Sequence, residues 1–333
     1  MRNKGAFIVS LDFELNWGVH DVFTKNQYGE NILGVRKAIP MMLDLFQQYN
    51  IHATWATVGM LCFADKKELL LHIPHLLPTY ENQDFSPYGK MHEVGENEEM
   101  DPYHFGESLV RQILNVPHQE IGTHTFSHFY CLEKGQDADQ FKADLQASMN
   151  VPLLEKLNVR SVVFPRNQTN SPYLKICKEL GIHSYRGNEE NWVYAASGYK
   201  DRSNFKRMIR LLDCYLNITG HHTFKIGEYN PDTPVNLQSS RFLRPYHPKL
   251  KLLEQLRLNR IKKGVEHAAR HGEIYHLWWH PHNFGTHLDE NISFLRKILE
   301  HVSKMHETYG MQSMNMGEAA TIVNKSETNH VGA

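Results

Sequence analysis

Short β-branched apolar runs alternate along the chain with stretches whose apolar residues recur every three or four positions. The run Phe7-Ile8-Val9-Ser10-Leu11 predicts a first strand that stops at Asp12. Val35, Ile39, Met42 and Phe46 follow at helical spacing, and Pro40 is expected to kink that helix or delay its start. A second strand is expected over residues 52–58, with a helix after Asp65. Residues 72–105 hold Pro74, Pro78, Pro87 and Pro102 among many polar positions and read as a long loop insertion. Regular pattern resumes with a helix over 107–114, a strand over 120–122, a helix over 137–157, a strand over 161–164, a helix over 172–180 and a strand over 183–185. Residues 188–248 carry the least regular pattern. Leu253, Leu256 and Val265 mark a further helix, residues 274–278 a strand, and Ile292, Leu295, Leu299 and Val302 a last long helix. We expect one domain over residues 1–325 and a frayed polar tail over 326–333.

Repeated strand–helix alternation argues for a parallel sheet, either doubly wound or closed toward a barrel. The phosphate-binding patterns GxGxxG and GxxxxGK[ST] and the nucleophile elbow GxSxG are all absent, which lowers nucleotide binding and serine hydrolysis. In a barrel, chemistry collects at the C-terminal ends of the strands, so those ends are where candidate residues are sought.

Composition changes this picture little. The 333 residues are 41% hydrophobic and 22% charged, near globular norms, so disorder and fibrous classes are excluded. The net charge of −1 gives no sign of a nucleic-acid partner or a polybasic membrane anchor. Cys62, Cys131, Cys177 and Cys214 lie far apart with no CxxC pair, and free thiols are expected. No stretch approaches the ~20 apolar residues of a membrane span. The N-terminal apolar run is too short for a signal peptide, so a cytoplasmic location is expected. The 22 histidines raise the prior for metal or acid–base chemistry.

Asp12 and Glu14 stand two apart at the end of the first strand, which puts both carboxylates on one side of an extended segment. Such a pair needs a metal, a cation or a shared proton, or else it is a solvated acidic loop. After the third strand, His124-Thr125-Phe126-Ser127-His128 would bring two imidazoles to one face if the turn is helical. Two imidazoles and one carboxylate form a common catalytic zinc set with an open position. The strand over 274–278 runs into Trp279-His280-Pro281-His282, where a histidine could donate a proton to a leaving group. His276 reads as a packed core histidine. Trp278 and Trp279 read either as core or, for one of them, as an apolar wall against a sugar ring. Arg166, after the fourth strand, is either an exposed loop residue or a cation that holds a catalytic carboxylate ionised.

Taken in order, Ser10-Leu11-Asp12-Phe13-Glu14, Ala53-Thr54-Trp55-Ala56, His124-Thr125-Phe126-Ser127-His128, Phe164-Pro165-Arg166 and Trp279-His280-Pro281 resemble the polysaccharide deacetylase family, the NodB-homology carbohydrate esterases. Met314-Asn315-Met316-Gly317-Glu318 also resembles that family's closing strand and helix. The resemblance implies an α/β fold, a distorted (β/α) barrel of about seven strands, that holds a divalent metal, zinc foremost, and removes acetyl groups from N-acetylated sugars. It implies Asp12 as catalytic base, His280 as catalytic acid, and His124 and His128 as metal ligands. The family commonly has two adjacent aspartates in its first motif. Here Phe13 follows Asp12, so the metal carboxylate passes to Glu14. Arg166 follows its proline where the family places an arginine before it, and Asn191-Trp192 stands where the family pairs aspartate with tryptophan. Arg166, Trp279 and His282 are expected to bind substrate or support the site. The expected partner is an N-acetylated sugar or saccharide, one made for a cell-surface polysaccharide. A small-amide or ureide hydrolase on the same barrel and a noncatalytic carbohydrate-binding relative are the alternatives.

Overall fold

The computed structural model describes residues 4–196, 198, 203–226 and 230–328. The first half carries β1 (Ala6–Phe13), α1 (Lys25–Gln48), β2 (Ala53–Thr57), α2 (Lys66–Leu71), α3 (Glu107–Leu114), β3 (Gln119–Thr123), α4 (Ala138–Met149) and β4 (Ser161–Val162). The second half carries α5 (Ser171–Glu179), β5 (Ser184–Tyr185), α6 (Asn204–Asp213), β6 (Val235–Asn236), β7 (Arg241–Phe242), α7 (Glu254–His271), β8 (Ile274–Trp279), α8 (Leu288–Tyr309), β9 (Gln312–Met314) and α9 (Met316–Thr328). The strands form one sheet in the order β6-β5-β4-β3-β2-β1-β8-β7, and every pairing is parallel. Strand β9 pairs with β1 at Ala6–Ile8, just before β2 joins at Val9.

Every residue of β1 is buried, but its two faces differ. Phe7, Val9, Leu11 and Phe13 pack outward, in the same apolar cluster as Ile39, Met42 and Phe46 of α1 and Leu295 and Leu299 of α8. Ala6 and Ile8 point inward and join Ala56, Val163, Leu237, Ile274 and Met316 in a second cluster that plugs the barrel floor. Ser10 and Asp12 continue the inward face, so the interior turns from apolar to polar along the strand direction. Helix α9 closes the floor. The half-buried Glu120 carboxylate there accepts from Thr54 Oγ1 at 2.6 Å, Ser161 Oγ at 2.6 Å and Gly317 N at 3.0 Å.

Several expectations shift in detail. Helix α1 begins at Lys25 and runs through Pro40, which does not delay its start. The helix expected over 137–157 ends at Met149, since Pro152 disfavours helical backbone at the residue before it. The section over 188–248 contains α6, β6 and β7. Two-residue strands are too short to show a period, and α6 leaves Phe205, Met208 and Leu212 exposed. Residues 197, 199–202 and 227–229 of that section lie outside the described residues. So do residues 329–333 of the expected frayed tail, whose first three residues continue α9. The insertion over 72–105 has only 3-10 turns, at Gln83–Phe85 and Pro87–Glu93. It is nonetheless anchored. Trp17 Nε1 donates to His104 O at 2.8 Å, Arg36 donates to Pro102 O at 3.0 Å and Phe105 O at 2.8 Å, and Tyr130 N donates to Tyr80 Oη at 2.8 Å.

The turn Pro281–Phe284 after β8 lies against α1 through two glycines. A Cβ on Gly34 would stand 2.1 Å from Gly285 O, and one on Gly285 1.9 Å from Asn31 O. We predict that Gly285→Ala, which must push this turn off α1, costs about 3 kcal/mol of stability, read by urea unfolding. An unchanged midpoint would show that the turn does not need this close approach.

Candidate active site and metal centre

Asp12, the last inward residue of β1, is buried and holds a bidentate ion pair with Arg186. Arg186 Nη1 donates to Asp12 Oδ1 and Nη2 to Oδ2, both at 2.7 Å. Arg186 follows β5 and is fully buried. Its Nη2 also donates to Asn167 Oδ1 at 2.8 Å, and its plane lies 4.1 Å from the Trp278 ring. A short relay extends behind it. Arg186 Nη1 donates to Ser10 Oγ at 2.9 Å, Ser10 Oγ donates to His276 Nε2 at 2.8 Å, and His276 Nδ1 donates to Leu237 O at 3.0 Å. The carbonyl can only accept, which fixes the His276 tautomer. Burial first, then Arg186, holds that imidazole down at about 3, so His276 is a neutral, satisfied core histidine. Burial alone would raise the Asp12 carboxyl, but Arg186 and then His124 outweigh it and hold it below its ordinary value.

Glu14 sits between two histidine pairs. Its Oε2 lies 3.1 Å from His128 Nε2 and 3.4 Å from His124 Nε2. Its Oε1 lies 3.7 Å from His280 Nε2 and 3.9 Å from His282 Nε2. Burial would raise Glu14, but His280, His124 and His128 hold it well below the carboxylate range. Burial pushes His128 down to about 4 and His282 to about 3, so both are neutral and have lone pairs to offer near pH 7. His124 Nδ1 donates to Val163 O at 2.7 Å, which turns its Nε2 lone pair toward Glu14.

Ligands about 2.0–2.2 Å from a tetrahedral ion stand about 3.3–3.6 Å from one another. The Glu14–His124 distance lies within that spacing, the Glu14–His128 distance is a little shorter, and all three ligand atoms lie within 4.8 Å of one another. The donor set therefore fits a divalent ion. Glu14 with His280 and His282 is a second, looser group.

The loop of residues 124–128 is not a helical turn. Thr125 and His128 take left-handed backbone at φ 65° and 59°. Asp144 of α4 holds the loop, accepting from Phe126 N at 2.7 Å, from Ser127 N at 3.2 Å and from the Ser127 hydroxyl. Burial pushes the Asp144 carboxyl up to about 6 against these three donors. Leu15, Arg166 and Asn167 also have positive φ, so backbone strain gathers around the mouth of the barrel.

Two of the three supporting assignments change. Arg166 pairs with Asp21 and lies 4.1 Å over the Tyr130 ring, so it does not hold Asp12. Arg186 does that, and its position just past the strand expected over 183–185 is the signal that could have found it. Trp279 points outward into the core, its ring centroid 5.8 Å from Phe284 and 6.2 Å from Phe46. The odd–even alternation of β8 instead puts Trp278 on the site side, beside His280. His282 is buried with its ring 4.9 Å from that of His280, so it backs the site and is not open to a sugar.

Residues 31–185 match the family model described as Polysaccharide deacetylase, a segment that includes His124, His128 and Arg166. The fold is similar to that of a protein described as a polysaccharide deacetylase from Mycobacterium smegmatis, at 13% identity and TM-score 0.60, over 98% of this chain and 92% of that one. A protein described likewise from Pseudomonas aeruginosa PAO1 aligns at 10% identity and TM-score 0.55, over 95% of this chain and 89% of that one. The Puue allantoinase aligns at 12% identity and TM-score 0.52, over 95% of this chain and 88% of that one. At these identities the likeness is one of fold. No curated protein matches the sequence.

Asp144→Ala should leave the Phe126 and Ser127 amides without an acceptor and cost about 3 kcal/mol in urea unfolding. Asp144→Asn, which keeps one acceptor oxygen, should cost less. Equal losses in the two variants would mean that the carboxylate does not hold the loop.

Proposed function

We propose that this chain, whose residues 31–185 match the polysaccharide deacetylase family, is a metal-dependent deacetylase of an N-acetylated sugar or saccharide, acting in the cytoplasm in the making of a surface polysaccharide. The family is one of hydrolases that act on the amide or ester bonds of polysaccharides. The observation that carries the reading is the sharing of one strand end by two carboxylates. Glu14 faces His124 and His128, while Asp12 is clamped by Arg186.

Glu14, His124 and His128 would hold the ion, with zinc the first expectation from two imidazoles and a carboxylate. A divalent ion at that position supplies Lewis acidity to the acyl oxygen and makes a nearby water more acidic. Asp12 is kept ionised and oriented by Arg186, so it can take the proton of the water whose oxygen bonds to the acyl carbon. His280 Nε2 stands 3.7 Å from both Asp12 Oδ2 and Glu14 Oε1, which places it beside the reacting centre. It gives its proton to the nitrogen as the C–N bond breaks, which leaves acetate and a free amine. The Trp278 and Phe242 rings flank His280, with centroids 5.7 and 5.9 Å away.

Elemental analysis of the purified protein should find about one zinc or similar divalent ion per chain, lost in His124→Ala. No metal in either protein, even after loading, would sink the mechanism. Asp12→Asn should keep its metal and lower acetate release from N-acetylated saccharides by about 10²–10⁴-fold. Normal rates in that variant would remove Asp12 as base. Arg186→Met should shift the acid limb of the pH–rate profile to higher pH, because the guanidinium lowers the Asp12 carboxyl and its removal lets burial raise it. Turnover of allantoin or small amides without turnover of any N-acetylated saccharide would transfer the site to a different amide substrate.

A further inference from the structure

Beside the catalytic groups lies a cavity of about 630 Å³ that the deacetylation chemistry does not use. Trp278, Phe242 and Asn167 form its inner wall. Each also touches the site: Trp278 lies under Arg186, Phe242 lies against His280, and Asn167 accepts from Arg186. A ligand in the cavity is therefore next to the reacting atoms.

Five arginines line this cavity. Two are committed to carboxylates, Arg166 to Asp21 and Arg241 to Asp213. The other three, Arg207 and Arg210 of α6 and Arg244 after β7, meet no carboxylate in an ion pair among the described residues. Arg244 Nε has only the weak acceptor Cys214 Sγ, at 3.2 Å. Half-burial lowers the basicity of Arg210, and Arg244 and Arg207 lower it further by like-charge repulsion, partly offset by Tyr194 and Glu189. Among the described residues of the lining, Glu189 is the one acidic residue, and burial raises its carboxyl. Three cations facing one cavity with so little to neutralise them are suited to a multiply charged anion that guanidinium forks can grip.

We propose that Arg207, Arg210 and Arg244 form a phosphate subsite, and that the substrate is an N-acylated amino sugar bearing a phosphate or diphosphate ester. The proposal rests on the deacetylase reading and narrows its substrate class. A neutral glycan would leave the cluster unanswered, and a single carboxylate would neutralise one cation of three. The phosphate can come from a soluble sugar phosphate or sugar nucleotide, or from a lipid-linked saccharide. The lipid source has a physical counterpart in Phe205, Met208 and Leu212, which leave an exposed apolar stripe on the same helix as Arg207 and Arg210.

The test is calorimetric titration of the metal-loaded full chain with N-acetylglucosamine 1-phosphate and with N-acetylglucosamine. The phosphorylated sugar should bind at least about tenfold more tightly, an advantage that shrinks as salt rises. R207Q/R210Q should abolish the advantage, and R207K/R210K, which keeps both charges, should retain much of it. Metal-binding by the phosphate is controlled by the same variants, since they leave Glu14, His124 and His128 in place. Equal affinities for the two sugars in the unaltered protein would overturn the proposal, as would an advantage that survives R207Q/R210Q. Acetate release, measured separately, keeps the two readings apart. Tight binding of the phosphorylated sugar without hydrolysis of any N-acetyl substrate would count against deacetylation and leave the subsite standing. Hydrolysis of neutral chitooligosaccharides with no preference for phosphorylated sugar would do the reverse. Comparing UDP-N-acetylglucosamine with a polyprenyl-diphosphate-linked N-acetylglucosamine in detergent identifies the source of the phosphate, and preference for either supports the subsite.

Discussion

Two carboxylates two positions apart, Asp12 and Glu14, are buried at the end of one strand, and the upper half of the molecule is arranged around their charge. A buried ion without a partner costs several kcal/mol, so neither can stand alone. Asp12 is answered by the fully buried Arg186, and Glu14 is ringed by His124, His128, His280 and His282, a donor set that would share a divalent ion with it. The first answer requires the sheet to curl. Strand β5 is four steps from β1 in the sheet, which in a flat sheet would be about 19 Å at ~4.8 Å per strand. Arg186, the residue after β5, nevertheless reaches Asp12 at 2.7 Å. The ion pair and the curvature thus depend on each other, and the chemistry occupies the point where they meet.

The other requirement is backbone precision. The side chains that face Glu14 arrive from loops after β3 and β8, and loops are softer than strands. Each is held from outside. Asp144 pins the amides of the 124–128 loop, Val163 O orients His124, and the contact between Gly34 and Gly285 seats the turn that follows His280. The left-handed residues Thr125 and His128 are the local cost of bringing two imidazoles to one carboxylate from a non-helical loop. The apolar cluster beneath, to which α9 contributes Met316, Ala319 and Ala320, fills the other end of the interior.

The alternation of apolar runs and helical periods already contained the parallel βα architecture, because strands buried on both faces and amphipathic helices have distinct periods. The sequence also contained Asp12, Glu14, His124, His128 and His280, because several strand ends in one chain carry them in the order that the family resemblance rests on. What it could not contain was partnership between distant segments. Arg186 is one arginine among many until the curl of the sheet sets it against Asp12, and Arg166 belongs to Asp21 for the same kind of reason. Which of Trp278 and Trp279 faces the site was set by the register of β8 against β1, where Ser10 pairs with Trp278 and Leu11 with Trp279. Arg207 and Arg210 lie on a short amphipathic helix, a local pattern, but only the fold brings them beside the catalytic groups. Local pattern fixes elements and residue chemistry because both are properties of neighbouring positions. Tertiary structure decides which charges meet, because the energy of an ion pair depends on distance and burial, and neither is written in the order of residues.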